Sequence, residues 1–477
     1  MGKGTGTTVR QQSASLALES AAMPDFVIAL CRAFDANGTP LYLVGGAVRD
    51  LVLGRPVSDL DFTTAARPDE VRQVGALANP DSLYDVGEKF GTIGFVFGGE
   101  KVEITTFRSE TYQQDSRKPD VMFGDSLHAD LARRDFTFNA MAFDPLRGEV
   151  IDPFGGQRDL FARLVRAVGD PDARFGEDPL RILRACRFAG QLGAQVDKNT
   201  LQGVCKRAPD LRFVSRERIY DELTKILMCA NPDVGFSVAG ASGILPYVLP
   251  ELVPLYEMGA NRDALARQHK NVWLHTLKVV RQAVPASPTL RWAALLHDVA
   301  KPQTRTVNEN GEIHFIGHEM RGAKIAEEAL RKLKADKSTV ERVSLLVRLH
   351  NLPGSYDPSW TDGAVRRLML NAGDAYDELV ALAKADVTSK HAEKVAAVRG
   401  RVLEFEKRCV EELIRSELTA YKSPLSGDDL MALTGRPPGR WIQPIKDRLR
   451  EMVIDGELMP DDREKAASLA LKWLAEA

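Results

Sequence analysis

The spacing of apolar residues changes along the chain, and each change marks an element. Residues from about 16 to 36 place apolar side chains at helical intervals, which predicts an amphipathic helix. A short apolar run of β type follows, Leu41 to Val44, and stops at Gly45-Gly46. Ala47 to Leu53 has helical composition, Gly54-Arg55-Pro56 reads as a turn, and Val57 to Thr63 as a second strand. The pattern next predicts a helix over Asp69 to Ala78 and strands over Ser82 to Val86, Thr92 to Phe97 and Lys101 to Phe107. From Arg108 to Ala132 no period is sustained, and a long polar loop is expected. Beyond Ile151 to Leu160, a turn and helix start, the periodicity is helical. Gly176 precedes a helix with Pro179 in its first turn, Leu290 to Val299 forms an apolar helix, and Gly427 to Thr434 and Trp441 to Asp455 form two more. Mixed elements followed by helices alone predict an α+β fold: a head with a mixed sheet, then an all-helical neck, body and tail.

Composition narrows this picture. At 477 residues the chain is expected to form three or four domains. With 44% hydrophobic and 27% charged residues it reads as soluble and globular, and no apolar run approaches the roughly 20 residues that span a bilayer, so no membrane partner is expected. Met1 to Ser15 is polar and lacks an apolar signal core, which predicts a disordered tail on a cytoplasmic protein. Cys31, Cys186, Cys205, Cys229 and Cys409 show no paired spacing, so neither a zinc site nor a disulfide framework is expected. A net charge of −2 argues against a nucleic-acid partner, yet between Arg174 and Arg218 ten Lys or Arg stand against five Asp or Glu. The oligomeric state is left open.

Candidate chemistry is concentrated near the first turn. Gly45 and Gly46 let backbone amides approach an anion, and the helix that follows sets its N-terminus and Arg49 beside them. In the next strand, Asp59 and Asp61 project from one face about 7 Å apart, and two carboxylates so placed suit shared Mg²⁺ ions. Arg133-Arg134-Asp135 opens a later segment, where the Arg134 fork suits two phosphate oxygens.

Strand, Gly-Gly turn, Arg-Asp helix and Asp-x-Asp strand, in this order, resemble the signature of the polymerase-β-like nucleotidyltransferase superfamily. The closest resemblance is to the class II tRNA nucleotidyltransferase (CCA-adding) and poly(A) polymerase family, from about Leu41 onward. The resemblance implies a third catalytic carboxylate at Glu103, as general base, and a triphosphate contact at Arg134 that Asp135 orients unless it meets the ribose. It also implies base selection by Asp178 and Arg181, with Arg184 and Arg187 on triphosphate or RNA phosphates. Ser215 to Leu223 resembles the family's bracing helix, through Arg218 and Glu222. His275, His297, Asp298 and Asp386 resemble the HD metal-dependent phosphohydrolases, with His314, His318 and His350 as candidates for a second divalent metal. Ser423 to Met431 and Gly435 to Ile442 resemble the tRNA-gripping tail. The expected division is a tail at 1–20, the catalytic head at 21–165, the neck at 166–265, an HD-type domain at 266–400 and a tRNA-binding tail at 401–477.

The implied activity is addition of CCA to the 3′ end of tRNA from CTP and ATP, with Mg²⁺ and release of pyrophosphate. Three alternatives stand beside it. A poly(A) polymerase of this family carries Gly-Arg-Arg/Lys-Phe where this chain has Gly87-Glu-Lys-Phe90, and a CC-adding enzyme has a shortened version of the loop at Arg108 to Ala132, which is full length here. The third is a phosphohydrolase whose head only binds RNA, against which the intact Asp59/Asp61 pair argues.

Overall fold

A computed structural model describes residues 23–57, 59–85, 91–111, 120–260, 271–388, 392–415 and 422–476. The expected tail at 1–20, the start of the first helix, Val86 to Phe90, His269 and His391 lie outside the described residues. The chain divides into two compact units, 1–250 and 251–477.

In the first unit the helix Asp25–Ala36 leads into a seven-stranded sheet. Its strands are β1 (Tyr42–Val44), β2 (Leu60–Thr64), β3 (Ser82–Asp85), β4 (Thr92–Phe97), β5 (Glu100–Thr106), and, beyond a separate hairpin of β6 (Arg108–Thr111) and β7 (Asp120–Phe123), β8 (Ala142–Asp144) and β9 (Glu149–Ile151). The order is β3-β4-β5-β2-β1-β8-β9, with β2 and β5 parallel and every other pair antiparallel. Alternation decides the two faces. Leu60, Phe62, Val102, Ile104 and Phe95 are buried, and the stacked rings of Phe26 and Phe97 tie the first helix to that side. Asp61 and Glu103 therefore point to the opposite face.

Three local expectations change here. The second strand starts at Leu60 and not at Val57; its register with β5 begins with Leu60 opposite Val102, so Asp59 stands just ahead of the ladder. Polar residues from Arg108 to Ala132 form the β6/β7 hairpin and the helix Leu127–Ala132, capped by Ser126, in place of a plain loop; residues 112–119 lie outside the described residues. Gly176 lies inside a helix, Pro171–Glu177, and a second helix, Leu180–Leu192, follows it. Pro179 makes the helical conformation unfavourable for the residue before it, so Asp178 is extended (φ −139°, ψ 101°) and breaks the two apart.

The neck helices Lys198–Arg207, Arg216–Leu227 and Pro232–Ala241 complete this unit. Phe188, on the second of the split helices, meets Phe136 and Phe138 edge-on, so the sheet region and the neck share one aromatic core.

Among its described residues the second unit is helical apart from one short hairpin, Thr306–Val307 with Ile313–His314. Its centre is the helix Pro288–Leu296 with Trp292 fully buried. The helix Ala392–Arg415 runs through residue 400, where the sequence reading divided body from tail. Helices Gly427–Thr434 and Ile442–Ile454 match expectation, and a third, Arg463–Glu476, packs Ala466 and Ala470 against Leu430, Leu449 and Val453. All five cysteines are free, and burial pushes the Cys31 and Cys186 thiols up to about 12. Among the described residues no helix is long and apolar enough to cross a membrane.

Candidate nucleotide site and candidate metal centre

Chain reversal at Gly45 creates the first half of the site. Gly45 has φ 72° and ψ −133°, which a side chain would strain, and a Cβ there would stand 3.3 Å from a terminal nitrogen of Arg134. The helix Gly46–Val52 starts at this point, and the Arg49 guanidinium lies 3.5 Å from where a Cβ on Gly46 would be. Arg49 donates to Asp50 at 2.7 and 3.1 Å.

Carboxylates supply the second half. Asp61 and Glu103 are direct register partners on neighbouring strands. Partial burial, then Glu103 and Asp59, push the Asp61 carboxyl above its usual range, and only Arg134 pulls it down. That crowding of negative charge at the sheet surface fits divalent cations, because a bound ion would relieve both repulsions.

Asp130, a residue the sequence reading passed over, holds Arg134 in place. It is fully buried, accepts from Arg133 at 2.9 and 3.0 Å and from Arg134 at 3.2 Å, and takes the backbone amide of Arg108 at 3.3 Å. Burial alone would raise its carboxyl, but Arg134 and Arg133 outweigh that and hold it low. The i, i+3, i+4 spacing to Arg133 and Arg134 was the available signal. Asp135 was expected to orient Arg134 or meet a ribose; instead it is buried and accepts from Arg184 at 2.7 Å and Asn139 at 3.0 Å.

The three-residue spacing of the arginines does not make an open comb for phosphates. Arg184 is held by Asp135, and Arg187 pairs with the buried Glu222 at 2.7 Å while lying over the Phe188 ring at 4.5 Å. Arg181 pairs with Glu177 at 2.6 Å and donates to the carbonyls of Arg174 and Arg133. Asp178 caps its helix through the Leu180 amide and faces Arg218 at 3.2 Å, so Arg218, read from sequence as a brace, sits at the candidate base-reading carboxylate. Glu222 keeps its bracing place. Truncating it to Ala strands Arg187 in a site with little water, and a loss of about 3–5 kcal/mol is expected, read as a fall in thermal midpoint that Glu222→Gln shows in smaller measure.

A second site lies in the helical unit. His275, His297 and Asp386 bring three ligand atoms within 4.8 Å of one another, and so do Asp298, His318 and His350. His275 Nε2 is 2.9 Å from Asp386, and His297 Nε2 is 3.2 Å from Asp298 Oδ2. The other Asp298 oxygen faces His318 at 3.6 Å and His350 at 3.9 Å, so one carboxylate stands between both groups. Nδ1 of His297, His318 and His350 is spent on the carbonyls of Ala294, Phe315 and Val347 at 2.7–2.8 Å, and Nδ1 of His275 on the Thr388 hydroxyl at 2.6 Å. The carbonyls fix the proton on Nδ1 of His297, His318 and His350 and so turn their Nε2 lone pairs inward, the arrangement that orients metal-ligating imidazoles. Among the described residues, Asp298 Oδ1, Asp386 Oδ1 and His350 Nε2 are buried without hydrogen-bond partners, atoms that a bound cation would satisfy. Lys301 donates to Asp298 at 2.7 Å. His314, expected beside His318, lies instead in the exposed hairpin and contacts Asn308, because the helix begins only at His318.

Comparison with known proteins gives matches along most of the chain. Family models match for the poly A polymerase head domain (residues 41–166), the probable RNA and SrmB-binding site of polymerase A (193–255) and the HD domain (272–390). The CCA-adding enzyme of Geobacillus sp. (strain WCH70) is 32% identical over 435 residues, 90% of this chain and 93% of the relative. That of Geobacillus thermodenitrificans is 33% identical over 452 residues, covering 94% and 96%. The crystal structure of the Bacillus stearothermophilus CCA-adding enzyme in complex with CTP superposes with a TM-score of 0.66 at 25% identity, over 95% of this chain and 99% of that one. A Thermotoga maritima CCA-adding enzyme complexed with tRNA shares the fold, with a TM-score of 0.54 and 20% identity. The nucleotidyltransferase and HD families generally use divalent metals.

Proposed function

We infer that this chain, which belongs to the family of CCA-adding enzymes, adds C, C and A stepwise to the 3′ end of tRNA from CTP and ATP, releasing pyrophosphate. The observation that carries the assignment to this chain's own site is the meeting of Asp61, Glu103 and Arg134 beside the Gly45 turn. Asp59 and Asp61 hold the divalent ions, which we take to be Mg²⁺; when bound these lower the pKa of the attacking hydroxyl and neutralise charge on the departing pyrophosphate. Glu103 accepts the proton of the 3′-hydroxyl. Arg134, fixed by Asp130, grips the triphosphate with its two-pronged fork, and the amides after Gly45 approach the same phosphates. Asp178 and Arg181 read the base edge; for this Asp178 exchanges its contact with Arg218, and Arg181 its contact with Glu177, for the nucleotide. The protein works in the cytoplasm on this reading, with its tail on the tRNA body. Incubation with tRNA transcripts shortened by one, two or three nucleotides and with CTP or ATP labelled at the α-phosphate tests it: label is expected in the RNA at each step, and label that stays in the triphosphate would overturn it.

The twin His/Asp groups favour a second activity, hydrolysis of a phosphoester in the helical unit. Their ligand set of imidazoles and carboxylates suits transition metals, and Lys301 is available to a phosphate oxygen. His297→Ala with Asp298→Ala is expected to abolish release of inorganic phosphate from nucleotide substrates and to leave CMP addition within about twofold of wild type. Phosphate release that persists in this variant but disappears with Asp59→Ala and Asp61→Ala would assign hydrolysis to the head.

A further inference from the structure

Tyr84, Gly94, Glu103 and Asp61 lie in one row across four neighbouring strands. Tyr84 faces Gly94 between β3 and β4, Gly94 faces Glu103 between β4 and β5, and Glu103 faces Asp61 between β5 and β2. Residues opposite one another in register share a face, so the phenol stands on the same side of the sheet as the two carboxylates. Gly94 makes room for it. A Cβ there would stand 2.4 Å from Cζ of Tyr84 and 2.5 and 2.7 Å from the adjoining ring carbons. The ring therefore lies across β4 where a side chain would otherwise be, and the hydroxyl, which projects beyond Cζ, is carried toward Glu103. A phenol is neutral at physiological pH and so has a proton to donate. Among the described residues this buried hydroxyl has no hydrogen-bond partner. Phenylalanine would fill the same space without leaving a polar atom unpaired.

We propose that the Tyr84 hydroxyl donates a hydrogen bond to the 2′-hydroxyl of the terminal ribose of the acceptor RNA and so holds the neighbouring 3′-hydroxyl against Glu103 and Asp61. The proposal rests on the nucleotidyl-transfer reading. Three acidic groups meet at this surface, and a 3′-hydroxyl that gives its proton to one of them leaves the vicinal oxygen to be fixed by a donor. Tyr84 is the neutral donor in the row, and only the absence of a side chain at Gly94 lets it reach.

Full-length wild type and Tyr84→Phe are compared in single-turnover CMP addition to tRNA transcripts that end either in ribose or in 2′-deoxyribose. On the ribose-ended tRNA, Tyr84→Phe is expected to be slower by about tenfold, the scale of one hydrogen bond, with an unchanged or higher thermal midpoint. On the deoxy-ended tRNA the two proteins are expected to run at the same rate, because the acceptor atom has gone. Gly94→Ala, which displaces the ring, is expected to reproduce the loss on ribose-ended tRNA alone. Equal rates on ribose-ended tRNA, or the same fold-loss on both substrates, overturns the proposal. Wild type that extends neither tRNA overturns the transferase reading beneath it.

Discussion

Asp61→Asn is expected to lower nucleotide addition by at least about a thousandfold while the protein stays folded. The substitution keeps size and shape but replaces one acceptor oxygen with a donor and removes the negative charge that a divalent ion needs, and metal stabilisation of transition-state charge is worth several kcal/mol, each 1.36 kcal/mol being tenfold. The stability side of the argument has the opposite sign. Partial burial, Glu103 and Asp59 raise the Asp61 carboxyl in the folded protein. A group whose pKa rises on folding favours the folded state below its unfolded value and disfavours it once ionised as pH climbs through the folded value. At neutral pH the native carboxylate thus weakens the metal-free fold, and Asp61→Asn should melt at the same temperature or higher. Activity and melting measured on one preparation separate the effects: a variant with near-normal turnover would place the metals elsewhere, and one that unfolds would give Asp61 a structural role.

Asp178→Ala and Arg134→Ala are expected to fail in different ways. On the proposed reading the Asp178 carboxylate would accept from N4 of cytosine or N6 of adenine, whereas uracil and guanine present an oxygen at that position, which would leave a partly buried acceptor unpaired. Such a mismatch costs roughly 1–3 kcal/mol, about tenfold to a few hundredfold in discrimination. Removing the carboxylate should slow CTP and ATP and admit UTP and GTP. Arg134 stands beside the Gly45 turn, is held by Asp130 and is assigned to phosphates alone, so its loss should weaken all four triphosphates alike. Steady-state kcat/KM for each nucleotide on both variants decides the matter. Asp178→Ala that loses rate equally for every nucleotide and keeps its selectivity would mean that the base is read elsewhere.

What could be read from the sequence was what local pattern determines and what family resemblance implies. Gly45 and Asp61 follow from turn chemistry and strand alternation, whereas Glu103 and the histidine clusters were legible through family resemblance; within the first unit Asp61 and Glu103 stand opposite one another in register, and within the second the His and Asp side chains gather in two groups. What escaped depends on partners distant in sequence or on competition between neighbours. Asp130 looks like any acidic residue in a short helix until its burial and its hold on Arg108, Arg133 and Arg134 are seen. Arg218 stands 40 residues from Asp178, and no spacing rule joins them. The β6/β7 hairpin carries too few apolar residues to alternate. The helix Pro171–Glu177 went unread because a single helix, preceded by Gly176 and starting about Pro179, was expected there, and the extended Asp178 separates the two. His314 satisfied helical spacing with His318, but Gly317 in the left-handed region starts the helix only after it.

The sequence of the product ends tests the central claim most directly. A tRNA transcript lacking its three terminal nucleotides is incubated with the full-length protein, Mg²⁺ and each nucleotide alone and together, and the extended ends are sequenced. The account predicts ends in CC with CTP alone, ends in CCA with CTP and ATP, and no extension with UTP or GTP. Runs of A with ATP alone would make the protein a poly(A) polymerase, ends that stop at CC with both nucleotides present would make it a CC-adding enzyme, and unextended tRNA under every condition would contradict the account altogether.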